Sequence, residues 1–285
     1  MNMKNALMAL LASGSLVACA NGTKAKRASA DEAAATETSA IEAEAQPAQD
    51  AIFNDGMLTV NGISYEFALV EAGTFTMGAT PEMKNVTSYE KPAHQVTLTH
   101  NYYMGKTEVT QALWTAVMGE NPSDFEGDNN PVNNVSWTEC QEFIAKLNAA
   151  TGKNFRLPTE AEWEFAARGG NKSQHYQYSG SNDLKEVAWY SITSRDATHE
   201  VATKQANELG LYDMCGNVLE WCSDKFEEYS EAAQTDPTGP DEGTDYVCRG
   251  GCYHYMADNC RPFNRDYFNL EDRYASVGFR LAISE

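Results

Sequence analysis

Apolar and polar residues alternate along the start of the folded part of the chain, with the period of two that is typical of β-strands. Residues 58–60 and 63–67 carry this alternation on either side of Asn61-Gly62, the strongest short signal for a two-residue hairpin turn. Residues 95–99 and 102–106 show the same pattern and predict a further strand pair. We therefore expect the domain to begin with a sheet.

Two later segments instead space their apolar residues like an amphipathic helix. In the first, Ser136 and Glu139 form a capping box and Gly152 stops the helix. In the second, Thr159 and Glu162 form another capping box. Acidic residues in a first helical turn are favoured by the helix dipole. We therefore expect a structural role for Glu160 and Glu162 and no catalytic one.

The C-terminal stretch, residues 249–281, concentrates glycine with aromatic and polar side chains. Gly250-Gly251 weakens a strand, so it indicates a place where another backbone or a ligand comes close. Beyond it lie the polar and aromatic residues Tyr253, His254, Tyr255, Cys260, Arg261 and Arg265. Residues 277–283 alternate loosely and predict one closing strand.

The N-terminus has the pattern of a targeting segment. Lys4 precedes a short apolar run at residues 6–12, and Leu16-Val-Ala-Cys19 follows. This pattern resembles a bacterial lipoprotein signal, in which Cys19 is acylated and begins the mature chain. The alternative is an ordinary cleaved signal peptide with a chance cysteine. Several acyl chains on one residue would anchor the protein stably to a membrane.

These signals divide the chain into three parts. We predict a signal peptide at residues 1–18, a tether at 19–51 and one folded domain at 52–285. The tether is rich in Ala, Glu, Ser and Thr and lacks aromatic residues, so it buries too little apolar surface to fold. We expect a lipid-anchored protein of the bacterial cell envelope, periplasmic or on the outer membrane.

The charge and the cysteines narrow the possible functions. A formal charge of −20 repels phosphate backbones and argues against nucleic-acid binding. Six cysteines follow Cys19, enough for three disulfides in fifteen possible pairings. No Cys-x-x-Cys occurs, which leaves zinc-ribbon and thioredoxin-like sites without support. Cys140 lies on the apolar face of the first predicted helix and is expected in the core.

Three motifs, at residues 154–170, 211–221 and 249–281, resemble those of the formylglycine-generating-enzyme family, also called sulfatase-modifying-factor domains. The resemblance runs from about residue 68 to residue 283. It implies a single α+β domain with much irregular structure, related to the C-type lectin fold. It also implies that residues 107–118 form the first helix.

The resemblance implies a copper-dependent oxidation. Family enzymes use dioxygen to convert a sulfatase cysteine to an aldehyde, and two cysteines hold Cu(I), a metal that soft thiolates suit. The second of these positions is Cys260, whereas the first falls on Tyr255, whose phenol is a poor Cu(I) ligand. Cys252 occupies a neighbouring serine position. In an extended strand it would lie about 10 Å from residue 255, on the opposite face.

The resemblance also implies a calcium loop, made by Gly216, Asn217, Val218 and Glu220. Backbone carbonyls and the carboxylate of Glu220 would bind the ion, since Ca²⁺ prefers oxygen ligands. The alternative is structural: Asn217 caps a turn and Glu220 pairs with a nearby arginine.

Three functions from different classes follow. A binding module would hold a peptide, protein or glycan in a groove that contains Tyr253, His254, Tyr255, Asn259 and Arg261. A copper-dependent formylglycine-generating oxidase needs a cysteine pair, and Tyr255 argues against it. A structural envelope lipoprotein would be recognised by co-purifying partners. We favour the binding module, with calcium expected and copper disfavoured.

Overall fold

The structure is a computed structural model that describes residues 50–285. The predicted signal peptide, the lipidation site Cys19 and nearly all of the predicted tether lie outside the described residues. Within residues 50–285, no helix combines the length and the apolar character needed to cross a membrane.

The described region combines β-strands with α-helices and long irregular connections. The strands in chain order are β1 Ala51–Asn54, β2 Met57–Val60, β3 Ile63–Val70, β4 Gly73–Met77, β5 His94–Leu98, β6 Tyr102–Gly105, β7 Phe155–Arg156, β8 Leu219–Lys225, β9 Gln234–Thr235, β10 Asp245–Arg249, β11 Arg265–Asn269, β12 Val277–Gly278 and β13 Ala282–Ser284. The helices are α1 Gln111–Met118, α2 Trp137–Thr151, α3 Glu160–Ala167 and α4 Leu184–Val187. This mixture is the α+β fold that the resemblance implied.

The strands form three sheets. A six-stranded sheet has the order β1-β2-β3-β6-β13-β7, a four-stranded sheet the order β11-β10-β8-β12, and a three-stranded sheet the order β4-β5-β9. Asn61 and Gly62 join β2 to β3 with φ angles of 48° and 84°. Left-handed angles at both positions define a type I′ turn. The predicted hairpin is therefore confirmed.

The predicted pairing of residues 95–99 with 102–106 is wrong. β5 pairs with β4 and β9, whereas β6 pairs with β3 and β13 in another sheet. The connection between β5 and β6 does not form a hairpin turn. Instead, the backbone N–H and the hydroxyl of Thr99 both donate to the carboxylate of Asp236, which follows β9. Alternation predicted each strand but not its partner.

The single closing strand expected at residues 277–283 is also wrong. β12 pairs in parallel with β8, and β13 pairs with β6 and β7 in the six-stranded sheet. Between them, the fully buried side chain of Arg280 donates to the carbonyl oxygens of Gly105 and Tyr212, at 3.0 Å each. This buried arginine ties the crossing segment to the six-stranded sheet.

Helices α1 and α2 pack on the main core. Trp114 of α1 stacks on Phe143 of α2, with ring centroids 5.3 Å apart. The capping box at the start of α2 is confirmed, since the backbone N–H of Ser136 donates to Glu139 at 2.9 Å and its hydroxyl accepts in return. Cys140 is fully buried in this core, as expected.

A buried ionic network positions the C-terminal motif. Arg249 ends β10 and its guanidinium pairs with Glu164 of α3, both side chains being inaccessible to solvent. Arg265, which begins β11, donates to both carboxylate oxygens of Glu160, at 2.6 and 2.8 Å. The loop between β10 and β11 is thus fastened at each end to α3, and this loop carries Cys252, Tyr255 and Cys260.

Candidate functional site

Residues 252–255 form a tight turn rather than the extended strand assumed from the sequence. The backbone N–H of Tyr255 donates to the carbonyl oxygen of Cys252 at 3.0 Å. Such a turn keeps its first and fourth Cα atoms within about 7 Å, so the expected separation of about 10 Å is wrong. The glycine pair just before this segment bends the chain out of the β10 ladder.

Gly251 allows the turn to lie directly against Cys260. Its φ of 74° is left-handed, and an added Cβ would lie 2.5 Å from the Asn259 carbonyl oxygen and 2.9 Å from Cys260 Sγ. Any other residue would clash with both atoms. The predicted close backbone approach at Gly250-Gly251 is confirmed.

Three buried thiols surround this contact. Cys215, Cys252 and Cys260 are free and buried, like the other three cysteines of the described region. Burial, followed by the neighbouring Cys215 and Cys252 thiols, raises the pKa of Cys260 well above its usual range. Burial also raises the pKa values of Cys215 and Cys252 to about 12. At neutral pH these groups are thiols, which are poor nucleophiles without an activating partner.

Tyr255 faces the same thiols. Its side chain is half-buried, and burial, then Asp266, then Cys252 raise the pKa of its phenol; Cys260 contributes in the same direction. Tyr255 also packs against the buried cluster that contains Cys215 and Cys260. The pair that the resemblance assigns to copper is here one phenol and one thiol. Both catalytic assignments, Cys260 and Tyr255, stay predictions.

The predicted groove residues occupy different environments. Tyr253 is buried: its ring packs against Phe125 with centroids 5.2 Å apart, and its carbonyl oxygen accepts from Ser194 at 2.6 Å. His254 is exposed, and its Nδ1 lies 3.6 Å from Cys252 Sγ. Asn259 is half-buried beside the turn. Tyr253 and His254 are thus the two central residues of the turn, and Asn259 lies beside it.

Arg261 differs from these, because its guanidinium is buried. Nη2 donates to Glu90 Oε1 at 2.8 Å, and Nη1 donates to the carbonyl oxygen of Lys84 at 3.1 Å. The guanidinium also lies over the Phe263 ring, 4.5 Å from its centroid. Nε also donates to the carbonyl oxygen of Asp258, so three of the five N–H groups of Arg261 are used within the fold, and its place in a groove stays a prediction.

Two exposed apolar side chains that the sequence did not single out flank the turn. Met256 is 61% exposed and Ile192 is 66% exposed. Ser191 links them, since its N–H donates to the Tyr255 carbonyl oxygen at 3.0 Å and its hydroxyl lies 3.3 Å from Met256 Sδ. We call the surface formed by Ile192, His254, Tyr255 and Met256 the turn surface. Met256 lies within the motif, whereas no sequence signal marked Ile192.

The predicted calcium loop leads into β8 and is buried. Both oxygens of Glu220 accept hydrogen bonds from Arg280, and Oε2 also accepts from Trp163 Nε1 at 2.7 Å. Asn217 has a φ of 58° and accepts from the backbone N–H of His199 at 3.0 Å. The structure thus contains the contacts of the structural alternative, a turn-forming asparagine and a paired glutamate.

Two carboxylates that the sequence analysis did not assign lie next to this loop. Glu108 and Asp213 are buried beside Glu220, and Asp213 Oδ1 has no hydrogen-bond partner among the described residues. Burial raises the pKa of Asp213 to about 6 and that of Glu108 well above its usual range. Asp213 could have been noticed, because it lies three residues before Gly216. Glu108 is brought in only by the fold.

The charges of this cluster would fit a divalent cation. Three buried carboxylates face one guanidinium, that of Arg280, which leaves an excess of two negative charges if all are ionised. Within residues 50–285, no three acidic, thiol or imidazole side chains converge as a ready-made metal site. A calcium ion would therefore depend on Asp213 and on the backbone carbonyls of Gly216 and Val218, as well as on Glu220.

The α+β framework, the paired carboxylate of β8 and the thiol-containing turn after β10 define a sulfatase-modifying-factor type of domain. The family described as "Sulfatase-modifying factor enzyme 1-like domain" matches residues 61–285. The chain belongs to this family. Its fold is consistent with the expected relation to the C-type lectin fold.

Individual relatives agree with this assignment. The solved structure of Treponema denticola variable protein 1 is 34% identical, with a TM-score of 0.74, over 80% of this chain and 98% of that one. "Chaperone protein LppX" of Paenibacillus barcinonensis is 36% identical, over 56% of this chain and 71% of the relative. The formylglycine-generating enzyme of Thermomonospora curvata is 34% identical over 61% of this chain. The chain spans 62% of that enzyme and as little as 24% of other curated relatives.

Proposed function

We propose that this protein is a lipid-anchored binding module that uses the turn surface to hold a polypeptide and does not oxidise cysteine. The observation that carries this proposal is the phenol of Tyr255 beside Cys260, where the resemblance calls for a second thiol. One thiolate and one phenol bind Cu(I) weakly, since the metal prefers soft ligands. Copper is therefore not part of the proposed activity.

The exposed apolar side chains favour a polypeptide ligand. Exposed apolar groups that cluster near a polar turn are typical of interaction sites, and Met256 offers a flexible thioether that adapts to varied partners. The turn surface also carries His254 and Tyr255, so one polar and one aromatic contact accompany Ile192 and Met256. The similarity to a protein named as a chaperone supports a polypeptide over a glycan.

The test is a selection from phage-displayed random dodecapeptides on the purified full chain, with a glycan array in parallel. Met256→Ser should weaken binding of the selected peptides about tenfold, because a buried methionine contributes roughly 1.5–3 kcal/mol. Met57→Ser is the matched control, since Met57 is an exposed methionine on β2. Glycan binding without peptide binding, or an equal effect of the control, would contradict the proposal.

A second candidate, the copper-dependent oxidase, is favoured by one observation. Cys215 lies in the same buried cluster as Cys260, and Gly251, the neighbour of Cys252, lies against Cys260 Sγ. Either thiol could supply the second ligand that Tyr255 does not. This candidate predicts tight Cu(I) binding by the wild-type protein and aldehyde formation on a sulfatase peptide.

Calcium and the anchor complete the proposal. We infer that one calcium ion binds beside Asp213 and the loop of Gly216, Asn217 and Val218, where it would balance the buried negative charge. We also infer that Cys19 is acylated and holds the domain at the bacterial cell envelope, in the periplasm or on the outer membrane. A structural role in an envelope assembly would instead appear as stoichiometric partners that co-purify with the anchored protein.

A further inference from the structure

A cavity of about 380 Å³ lies beside the C-terminal end of β8, and the segment of residues 227–240 forms part of its wall. We call it the arm cavity. Its chemically distinctive lining residues are His94, Glu160, Asp224, Glu228, Tyr229 and Arg265. It shares no lining residue with the turn surface, and the family resemblance assigns nothing to it. The cavity is therefore a candidate for a separate binding site.

Asp224 is the unusual residue of this cavity. Its side chain is only 4% exposed, although it lines the cavity. Oδ2 accepts from the backbone N–H of Glu160 at 3.0 Å and from the Ser223 hydroxyl at 2.9 Å. Among residues 50–285, no donor contacts Oδ1. Oδ1 is open to the cavity rather than sealed from solvent, so a donor on a ligand that enters the cavity can reach it.

The cations that already line the cavity are occupied elsewhere. Both Nε and Nη2 of Arg265 donate to Glu160, and Nη1 donates to the carbonyl oxygens of Tyr89 and Glu227. Lys225 donates to the carbonyl oxygen of Asp241. Glu160 is thus compensated by arginine, whereas Asp224 is not.

The surroundings of Asp224 add to its need for a positive charge. Burial, followed by the charge of Glu160, raises the pKa of Asp224 to about 7. Glu227 and Glu228 are exposed and also line the cavity, so they add negative charge to it. Both would attract a cationic ligand toward the cavity.

We propose that the arm cavity binds a primary ammonium group on an aliphatic stem, with Asp224 Oδ1 as its acceptor. An ammonium is a compact point charge, which one free carboxylate oxygen can satisfy. A guanidinium would need a two-oxygen fork, and Oδ2 is already occupied. The rings of His94 and Tyr229, packed edge to face at 4.7 Å, provide apolar surface for the stem. A lysine side chain has this chemistry.

The experiment is calorimetric titration of the full chain with Nα-acetyl-lysine methylamide. The neutral control ligand is Nα-acetyl-norleucine methylamide, which has the same stem without the amine. We expect measurable binding of the lysine compound, and at least tenfold weaker binding of the norleucine compound, because a hydrogen bond between charged groups has about that effect. Absence of binding, or equal binding of both compounds, would overturn the proposal.

Variants locate the site. Asp224→Asn should weaken binding of the lysine compound at least tenfold, whereas Glu231→Gln, which removes an exposed charge from the same segment, should change it less than twofold. Thr238→Trp should also reduce binding, because it fills the cavity from an exposed position and leaves Asp224 intact. This variant keeps the test decisive if Asp224→Asn does not fold. Unchanged affinity in Thr238→Trp would place the bound amine elsewhere and refute the site.

Discussion

Arg280 and Glu220 form a bidentate ion pair in which neither side chain is accessible to solvent. Nε lies 2.5 Å from Oε2, and Nη2 lies 2.6 Å from Oε1. The pair joins β8 to the segment that crosses from β12 to β13, so it connects two of the three sheets. The acidic residue of the calcium motif is therefore also a structural residue, whatever it binds.

Breaking this pair should destabilise the fold. Glu220→Gln removes the charge from the carboxylate that is hydrogen-bonded to the buried guanidinium of Arg280, and breaking a buried ion pair in this way typically costs about 3–5 kcal/mol. Urea unfolding of wild type and variant measures the difference. The matched control is Glu66→Gln, which breaks an exposed pair with Lys106 and should cost less than about 1 kcal/mol. Equal losses in the two variants would show that burial of the pair contributes nothing.

Calcium should stabilise the wild-type protein through Asp213. A ligand that binds only the native state, at a hundred times its Kd, adds about 2.7 kcal/mol. Asp213→Ala should lose most of the rise in melting temperature that calcium causes in the wild type, each variant being compared with itself in EDTA. Asp196→Ala, which removes an exposed aspartate, should keep it. If calcium does not shift the wild type, or shifts Asp213→Ala equally, the calcium site is refuted.

Ionisation of the buried Asp224 carboxyl should lower the free energy of unfolding as the pH rises. Its folded pKa of about 7 lies above the unfolded value of about 3.9, so the native state favours the protonated form. The raised pKa of Asp224 contributes fully to the free energy of unfolding below pH ~4. This contribution is lost as the pH rises to the folded pKa. At 1.36 kcal/mol per pKa unit, the loss is up to about 4 kcal/mol. Asp224→Asn should remove this loss. Urea unfolding at pH 5 and pH 8 tests it.

The control for this pH dependence is Asp236→Asn. Hydrogen bonds from the Thr99 hydroxyl and N–H lower the pKa of Asp236, so its contribution is lost as pH falls, the opposite sign. Asp236 stays ionised between pH 5 and pH 8, so Asp236→Asn should keep the pH dependence of the wild type over this range, whereas Asp224→Asn should lose part of it. Loss of this pH dependence in both variants would contradict the assignment to Asp224.

The anchor is tested by mass spectrometry of the mature N-terminus from membrane extracts. We predict an acylated Cys19, and Cys19→Ser should release the protein from the membrane fraction, because the acyl chains provide the hydrophobic anchor. An unmodified N-terminus at another residue would refute lipidation.

Local signals in the sequence predicted local structure. The turn at Asn61-Gly62 and the capping box at Ser136 depend on residues within four positions of one another, and both form as expected. The two strand errors arose because β5 and the end of the chain find partners that are distant in sequence. The burial of Arg261 was not predicted, because it depends on a partner, Glu90, that lies 171 positions away.

The sequence predicted only those residues of the candidate site that lie within its motif. Tyr255 and Cys260 were identified by spacing, and their approach follows from the turn at Gly251. The sequence analysis assigned neither Ile192 of the turn surface nor Glu108 beside the calcium loop to a site, because only the fold brings them there. Asp224 likewise has no sequence signal, because its importance depends on the cavity beside it.

The central claim is that Tyr255 removes the copper site. Tyr255→Cys should restore two thiols and raise Cu(I) affinity, and adding Cys260→Ser should remove that gain. Tyr274→Cys adds a thiol at an exposed tyrosine and is the matched control, with no gain expected. These variants are compared under reducing conditions.

Competitive Cu(I) titration of the reduced wild-type protein, combined with an aldehyde assay on a Cys-x-Pro-x-Arg peptide, tests the claim most directly. We predict weak copper binding and no aldehyde in the wild type, with a gain of affinity only in Tyr255→Cys. Tight binding and aldehyde formation by the wild type would contradict the account and establish the oxidase.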